Sequence, residues 1–180
     1  HEENIKEYLT HSLDFPIGSR ELLNLMLIAQ SSYKSLNYID ECMKIYKHIR
    51  KTKVYKSYKE YGYFLRLTCM YLPRKRALRL VRKSYFFFRN KECFHQAGKS
   101  AISYAHLLSS LGNPSKGMEY IKKAEILLRD KQIGQHMLLV NKAVISMHMR
   151  NFGKEIWDLL DMAEISARVT FDKLAIQICK

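Results

Sequence analysis

Apolar positions along this chain recur every third or fourth residue, and polar positions fill the intervals. That period belongs to amphipathic α-helices. It predicts helices at about 19–35, 38–51, 54–71, 74–90, 93–111, 114–129, 134–150 and 153–168. Local signals support several of these ends. Ser19 follows the Pro16–Gly18 turn and is placed to cap the first helix, with Glu21 in its first turn. Leu72-Pro73 and Asn113-Pro114 put proline at a first helical position, behind a residue that proline keeps out of the α region. Gly112-Asn113-Pro114 is the clearest break, and Asn151-Phe152-Gly153 is another turn. With 7 Gly and 3 Pro in 180 residues there is little room for β-turns, and the chain reads as all-α.

The eight helices pair into four hairpins. Asn37, Leu72, Gly112 and Asn151 occupy equivalent turn positions, spaced by 35, 40 and 39 residues. Five residues after each turn comes Cys42, Ala77, Gly117 or Ile156; nine after comes Tyr46, Val81, Ile121 or Leu160; twelve after comes Ile49, Ser84, Ala124 or Ala163. Small residues at one place let helix backbones approach, and larger apolar ones fill the gap between hairpins. With Ala29, Ala105 and Ala143 in the first helices, these positions resemble the tetratricopeptide repeat (TPR) family, the third unit most closely. The longer period and the stretch Asn141-Lys142-Ala143 through Ala163 to Phe171-Asp172-Lys173-Leu174 resemble the C-terminal sensor repeats of STAND-type signalling NTPases.

The resemblance implies a right-handed α-solenoid of about four antiparallel helix hairpins, spanning 1–180 as a single TPR-like repeat domain. Residues 1–13 read as the tail of a preceding helix and 171–180 as the start of a following one. The expectation is therefore a section of a longer chain. The family holds its ligand in a concave groove lined by first helices. Carried over, the groove candidates are Asn24, Ser31 and Lys34; Lys59, Tyr63 and Arg66; Lys99, Ser103 and His106; and Asn141 and His148. Polar and basic side chains in such a groove suit a peptide backbone or carboxylate.

Charge changes the picture. The net charge is +14, and residues 44–99 hold 17 of the 31 Lys and Arg but only Glu60 and Glu92 among the acids. Such a stretch attracts acidic partners. Within it, Arg74, Lys75, Arg76, Arg79, Arg82 and Lys83 form a basic ridge, with Ala77, Leu78, Val81 and Tyr85 on the opposing side. The ridge reads either as a contact surface for phosphates or acidic side chains, or as the solvated outer face of a second helix. The same stretch holds 12 of the chain's 21 aromatic residues. Basic and aromatic residues together can bind single-stranded nucleic acid, although Phe64, Phe87 and Phe88 read as core.

No P-loop, G-x-S-x-G or H-E-x-x-H is present. Cys93 and His95 are two apart, a spacing that does not bring two side chains to one helix face. Neither a metal, a cofactor nor catalysis is expected. Cys42, Cys69, Cys93 and Cys179 form no C-x-x-C pair and read as buried thiols of a cytoplasmic protein. No stretch is apolar for long enough to span a bilayer, and the polar residues 1–10 do not read as a signal peptide. The functional expectation is a protein–protein interaction module for an acidic peptide or protein, and the STAND resemblance implies the sensor segment of a signalling or immune NTPase. The alternative is a nucleic-acid-binding α-solenoid using residues 44–99.

Overall fold

The computed structural model describes residues 16–35, 38–129 and 134–169, with the backbone alone for 32–35. The turn residue Asn37, the side chain of Lys34, Cys179 and the segments 1–13 and 171–180 lie outside the described residues. The described secondary structure is helical: α1 Arg20–Ser35, α2 Ile39–Lys51, α3 Glu60–Thr68, α4 Arg74–Asn90, α5 Phe94–Ser110, α6 Pro114–Leu128, α7 Gln135–His148 and α8 Lys154–Val169. The chain divides into two compact units, His1–Leu80 and Val81–Lys180, with the boundary inside α4.

In the first unit, α1 begins where Ser19 was expected to cap it: the Leu22 amide donates to Ser19 Oγ at 3.2 Å. α1 packs against α2 and α3. The core consists of Leu23, Ile49, Tyr55, Phe64 and Leu65, with Tyr46, Tyr58, Tyr61 and Leu80 packed around it. Tyr46 stacks on Phe64 at 5.7 Å, and Tyr61 tilts against it at 5.5 Å. Two polar links tie α1 to the segment one period later. Arg20 donates to Glu60 Oε1 from Nε and Nη2 at 2.8 and 2.5 Å. Gln30 Nε2 donates to Thr68 Oγ1 at 3.3 Å and to the Tyr71 hydroxyl.

The continuous helix expected over 54–71 is not formed. Lys53–Ser57 and Cys69–Tyr71 are 3-10 turns on either side of α3, and Tyr58 is extended at φ −85°, ψ 145°. Tyr55 and Phe64 explain the break. Residues nine apart lie about 180° apart on a straight helix, yet both rings are fully buried in one core. The extended residue resets the helical phase so that both can face inward. Pro73 likewise stands just before α4 rather than in its first turn: its carbonyl accepts from the Arg76 and Ala77 amides at 2.8 and 3.0 Å. Leu72 is extended, as its following proline requires.

The second unit is closed by small residues. Ala97, Gly98, Ala101 and Ala105 of α5 are buried, as are Gly117 and Ala124 of α6. A Cβ on Gly117 would come within 2.9 Å of the Ala105 carbonyl, and one on Gly98 within 2.7 Å of Leu128 Cγ. Residue 98 therefore lies beside 128 and 105 beside 117, which makes the pair antiparallel. Gly112 turns the chain between them at φ +86°, a conformation that suits a residue without Cβ. α7 and α8 form the next hairpin, with Ala143, Ile156, Ala163 and Ala167 buried. The first helices α5 and α7 run side by side, joined by His106–Asn141 and Ser109–His148.

The repeat positions read from the sequence are those the fold buries. Cys42, Ala77, Gly117, Ile156, Val81, Ile121, Ile49, Ser84, Ala124 and Ala163 are buried, with Tyr46 and Leu160 partly so. Three expectations need correcting. Phe87 is only partly buried, unlike Phe64 and Phe88, because it stands on the flank of α4. Cys69 and Cys93 are also only partly buried, Cys69 in a 3-10 turn and Cys93 just ahead of α5, so neither faces a helix-packed core. Among the described residues, no helix is long and apolar enough to cross a membrane.

Candidate partner-binding surfaces

In the first unit, α3 carries Lys59 just ahead of its first turn, then Tyr63 and Arg66. Spacings of four and three residues place all three on one helix face. Lys59 is exposed and the other two are partly buried. The Arg66 guanidinium lies 5.6 Å from the centre of the Tyr63 ring. Among the described residues no carboxylate pairs with it, and burial lowers its pKa from the ordinary arginine value. The charge is thus partly stripped of water without an anion to replace it among the described residues. Glu60, on the same helix, is already committed to Arg20. On α1, Asn24 and Ser31 are exposed two turns apart.

Arg74, Arg76 and Arg79 are exposed on α4, as are Lys75, Arg82 and Lys83. The ridge read from the sequence is therefore solvent-facing, and Ala77, Val81 and Tyr85 are buried opposite it. In the second unit, Lys99, Ser103 and His106 share a face of α5 at the same spacing of four and three. Ser103 Oγ donates to the Lys99 carbonyl at 3.2 Å. His106 Nδ1 meets Asn141 Oδ1 at 3.1 Å, while Asn141 Nδ2 donates to the Met137 carbonyl at 2.8 Å. That second bond orients the Asn141 amide oxygen toward His106, so His106 Nδ1 carries the proton and donates. His148 instead meets Ser109 at 2.6 Å. The fold thus joins His106 to Asn141 from neighbouring first helices and spends His148 on helix pairing.

A further grouping in this unit lies partly outside the basic stretch. Arg82 lies over Phe86 at 5.7 Å, Arg89 over Tyr85 at 5.9 Å and the Lys123 ammonium over Tyr120 at 4.2 Å. The rings are themselves packed edge to face: Tyr85 on Phe86 at 5.1 Å, Tyr85 on Tyr120 at 5.6 Å and Tyr104 on Tyr120 at 4.6 Å. Burial raises the Tyr104 pKa, Tyr120 adds to the rise and Arg82 opposes it. The i,i+4 pairs Arg82–Phe86 and Tyr85–Arg89, and the i,i+3 pair Tyr120–Lys123, were visible in the sequence. The Tyr85–Tyr120 contact that joins α4 to α6 was not, because it depends on tertiary packing.

Among the described residues, no group of three His, Cys, Asp or Glu is placed to hold a metal ion. The chain matches no protein-family model and no curated protein sequence.

Proposed function

We propose that this chain is a non-catalytic binding module, a right-handed TPR-like α-solenoid segment of about four hairpins that recognises an acidic peptide or protein. The observation that carries this reading is Arg66, held over Tyr63 and partly desolvated with no carboxylate paired to it among the described residues. A partly buried, unpaired guanidinium weakens the empty protein and rewards a ligand carboxylate with a charge-assisted hydrogen bond. Lys59 on the same face adds long-range attraction.

The helix pairing supports the repeat reading. Arg20–Glu60 and Gln30–Thr68 in one unit, and His106–Asn141 and Ser109–His148 in the other, join first helices about one sequence period apart. The aromatics favour a peptide over single-stranded nucleic acid. Of those within residues 44–99, Phe86 and Phe94 are exposed, at 40% and 52%, and Arg82 lies over Phe86. Few ring faces are open to stack bases. In a STAND-type parent, ligand capture by such a segment would bias assembly of the larger chain.

The test is a fluorescence-anisotropy titration with a labelled Asp/Glu-rich peptide, single-stranded RNA and duplex DNA at two salt concentrations. The peptide is expected to bind, and Arg66→Gln to weaken it about tenfold or more while leaving the empty protein equally or more stable. Unchanged affinity in Arg66→Gln, or tight, steeply salt-dependent nucleic-acid binding with none to the peptide, overturns the reading.

A further inference from the structure

We infer that the seam between α4 and α6 in the second unit docks an acidic amphipathic α-helix of a partner protein. This surface uses none of the α3 residues, and the inference goes beyond the proposal above. Its floor is the edge-to-face set Tyr85, Tyr120 and Tyr104, each at most 9% exposed. Its rims are cations: Arg82 and Arg89 on α4, and Lys123 on α6. None of the three forms an ion pair among the described residues, where the second unit's ion pairs are Lys142–Glu125 and Arg168–Glu164. An aromatic face holds a cation in place without neutralising it, so the side-chain entropy is partly spent before a ligand arrives.

The spacing selects the ligand's shape. Arg82 and Arg89 are seven residues apart, and so are Lys116 and Lys123, which are exposed on α6. Seven residues is two helical turns, about 10.5 Å along the axis. The seam is therefore edged by two rows of charge with the repeat of an α-helix. A third helix laid along it meets both rows with glutamates at heptad spacing. Phe86, 40% exposed beside Arg82, offers that helix an apolar anchor. Glu119 is exposed on the same side of α6, three residues after Lys116 and four before Lys123, so the α6 row carries one acid between its two lysines and the α4 row, Arg82 and Arg89, carries the stronger positive charge. A nucleic acid would find the phosphate-binding charges but no open ring faces, because the tyrosines are buried and Phe86 lies under Arg82.

The probe is a labelled amphipathic peptide with glutamates at heptad spacing, set against the same composition broken by a central proline, and against duplex DNA and single-stranded RNA. The helical peptide is expected to bind best. The combined Arg82→Gln, Arg89→Gln and Lys123→Gln variant should lose about tenfold in affinity, the sum of three rim pairs, with helicity by circular dichroism intact. Made in the Arg66→Gln background, so that the α3 face does not contribute, the triple substitution should cost the same factor of about ten, which separates the seam from the α3 face. Equal binding of the proline-broken peptide, full binding by the triple variant in that background, or tighter binding of either nucleic acid overturns the inference. The comparison of peptides on the unaltered protein decides the matter even where the variant folds poorly.

Discussion

In the first unit, helices are held apart by rings: Tyr46, Tyr55, Tyr61 and Phe64 meet in one core. In the second unit, α5 and α6 are drawn together by Ala97, Gly98, Ala101, Ala105, Gly117 and Ala124. The two solutions have different consequences. Small residues at helical spacing keep their register, and α5 and α6 run unbroken. Large rings fill space in any direction, so the core decides which way each must point. Tyr55 and Phe64 cannot both satisfy it from one straight helix, and the chain breaks into 3-10 turns around α3.

The largest test of this contrast is a truncation in the ring-filled unit. Phe64→Ala should cost about 3–5 kcal/mol of folding free energy by urea denaturation, since Tyr46 and Tyr61 both lose their partner. A loss below about 1 kcal/mol would mean the site collapses, and the rings do not set the spacing. The opposite change tests the small-residue unit. Gly117→Ala gains helix propensity but drives a methyl into the Ala105 carbonyl, a backbone atom that moves only with its helix. It should be net destabilising by about 1–3 kcal/mol. Gly98→Ala meets the Leu128 side chain, which can change rotamer, and should cost less. Reversal of that order in thermal melts would show that the hairpin is not as closely approached as these distances require.

The smallest effect concerns the ion pair across α1 and α3. Burial works against ionisation of Glu60, but the hydrogen bonds and charge of Arg20 outweigh it and hold the pKa below the ordinary carboxylate value. A depressed folded-state pKa contributes stability that is present above the unfolded pKa and lost as pH falls through the folded one. Glu60→Gln should therefore lower the neutral-pH stability slightly, the effect being small because Arg20 is exposed, and flatten the acid limb by the same amount while leaving the low-pH value unchanged. An unaltered acid limb would place the titration elsewhere.

The candidate surfaces divide along similar lines. Lys59, Tyr63 and Arg66, and likewise Lys99, Ser103 and His106, share a face because four-and-three spacing is a property of any helix, and the sequence carries that spacing openly. Which of them pair was not legible. His106 and Asn141 come from neighbouring first helices, as do Ser109 and His148, and their choice depends on how α5 and α7 are set against each other. Lys123 stood outside the basic stretch and joined the cations of α4 only through Tyr85 and Tyr120.

Local patterning along the chain was enough for the helical class, for the turns at Gly112 and Asn151 and for the second-helix positions that are buried. Those follow from local preferences and from a period the backbone imposes at every residue. Tertiary packing, by contrast, breaks helix 54–71, strips water from Arg66 without pairing it to a carboxylate among the described residues, and sets three cations from two helices around one aromatic cluster. Each of those outcomes depends on groups distant in sequence competing for the same space or the same charge, and the periodicity of a single helix carries no record of that competition.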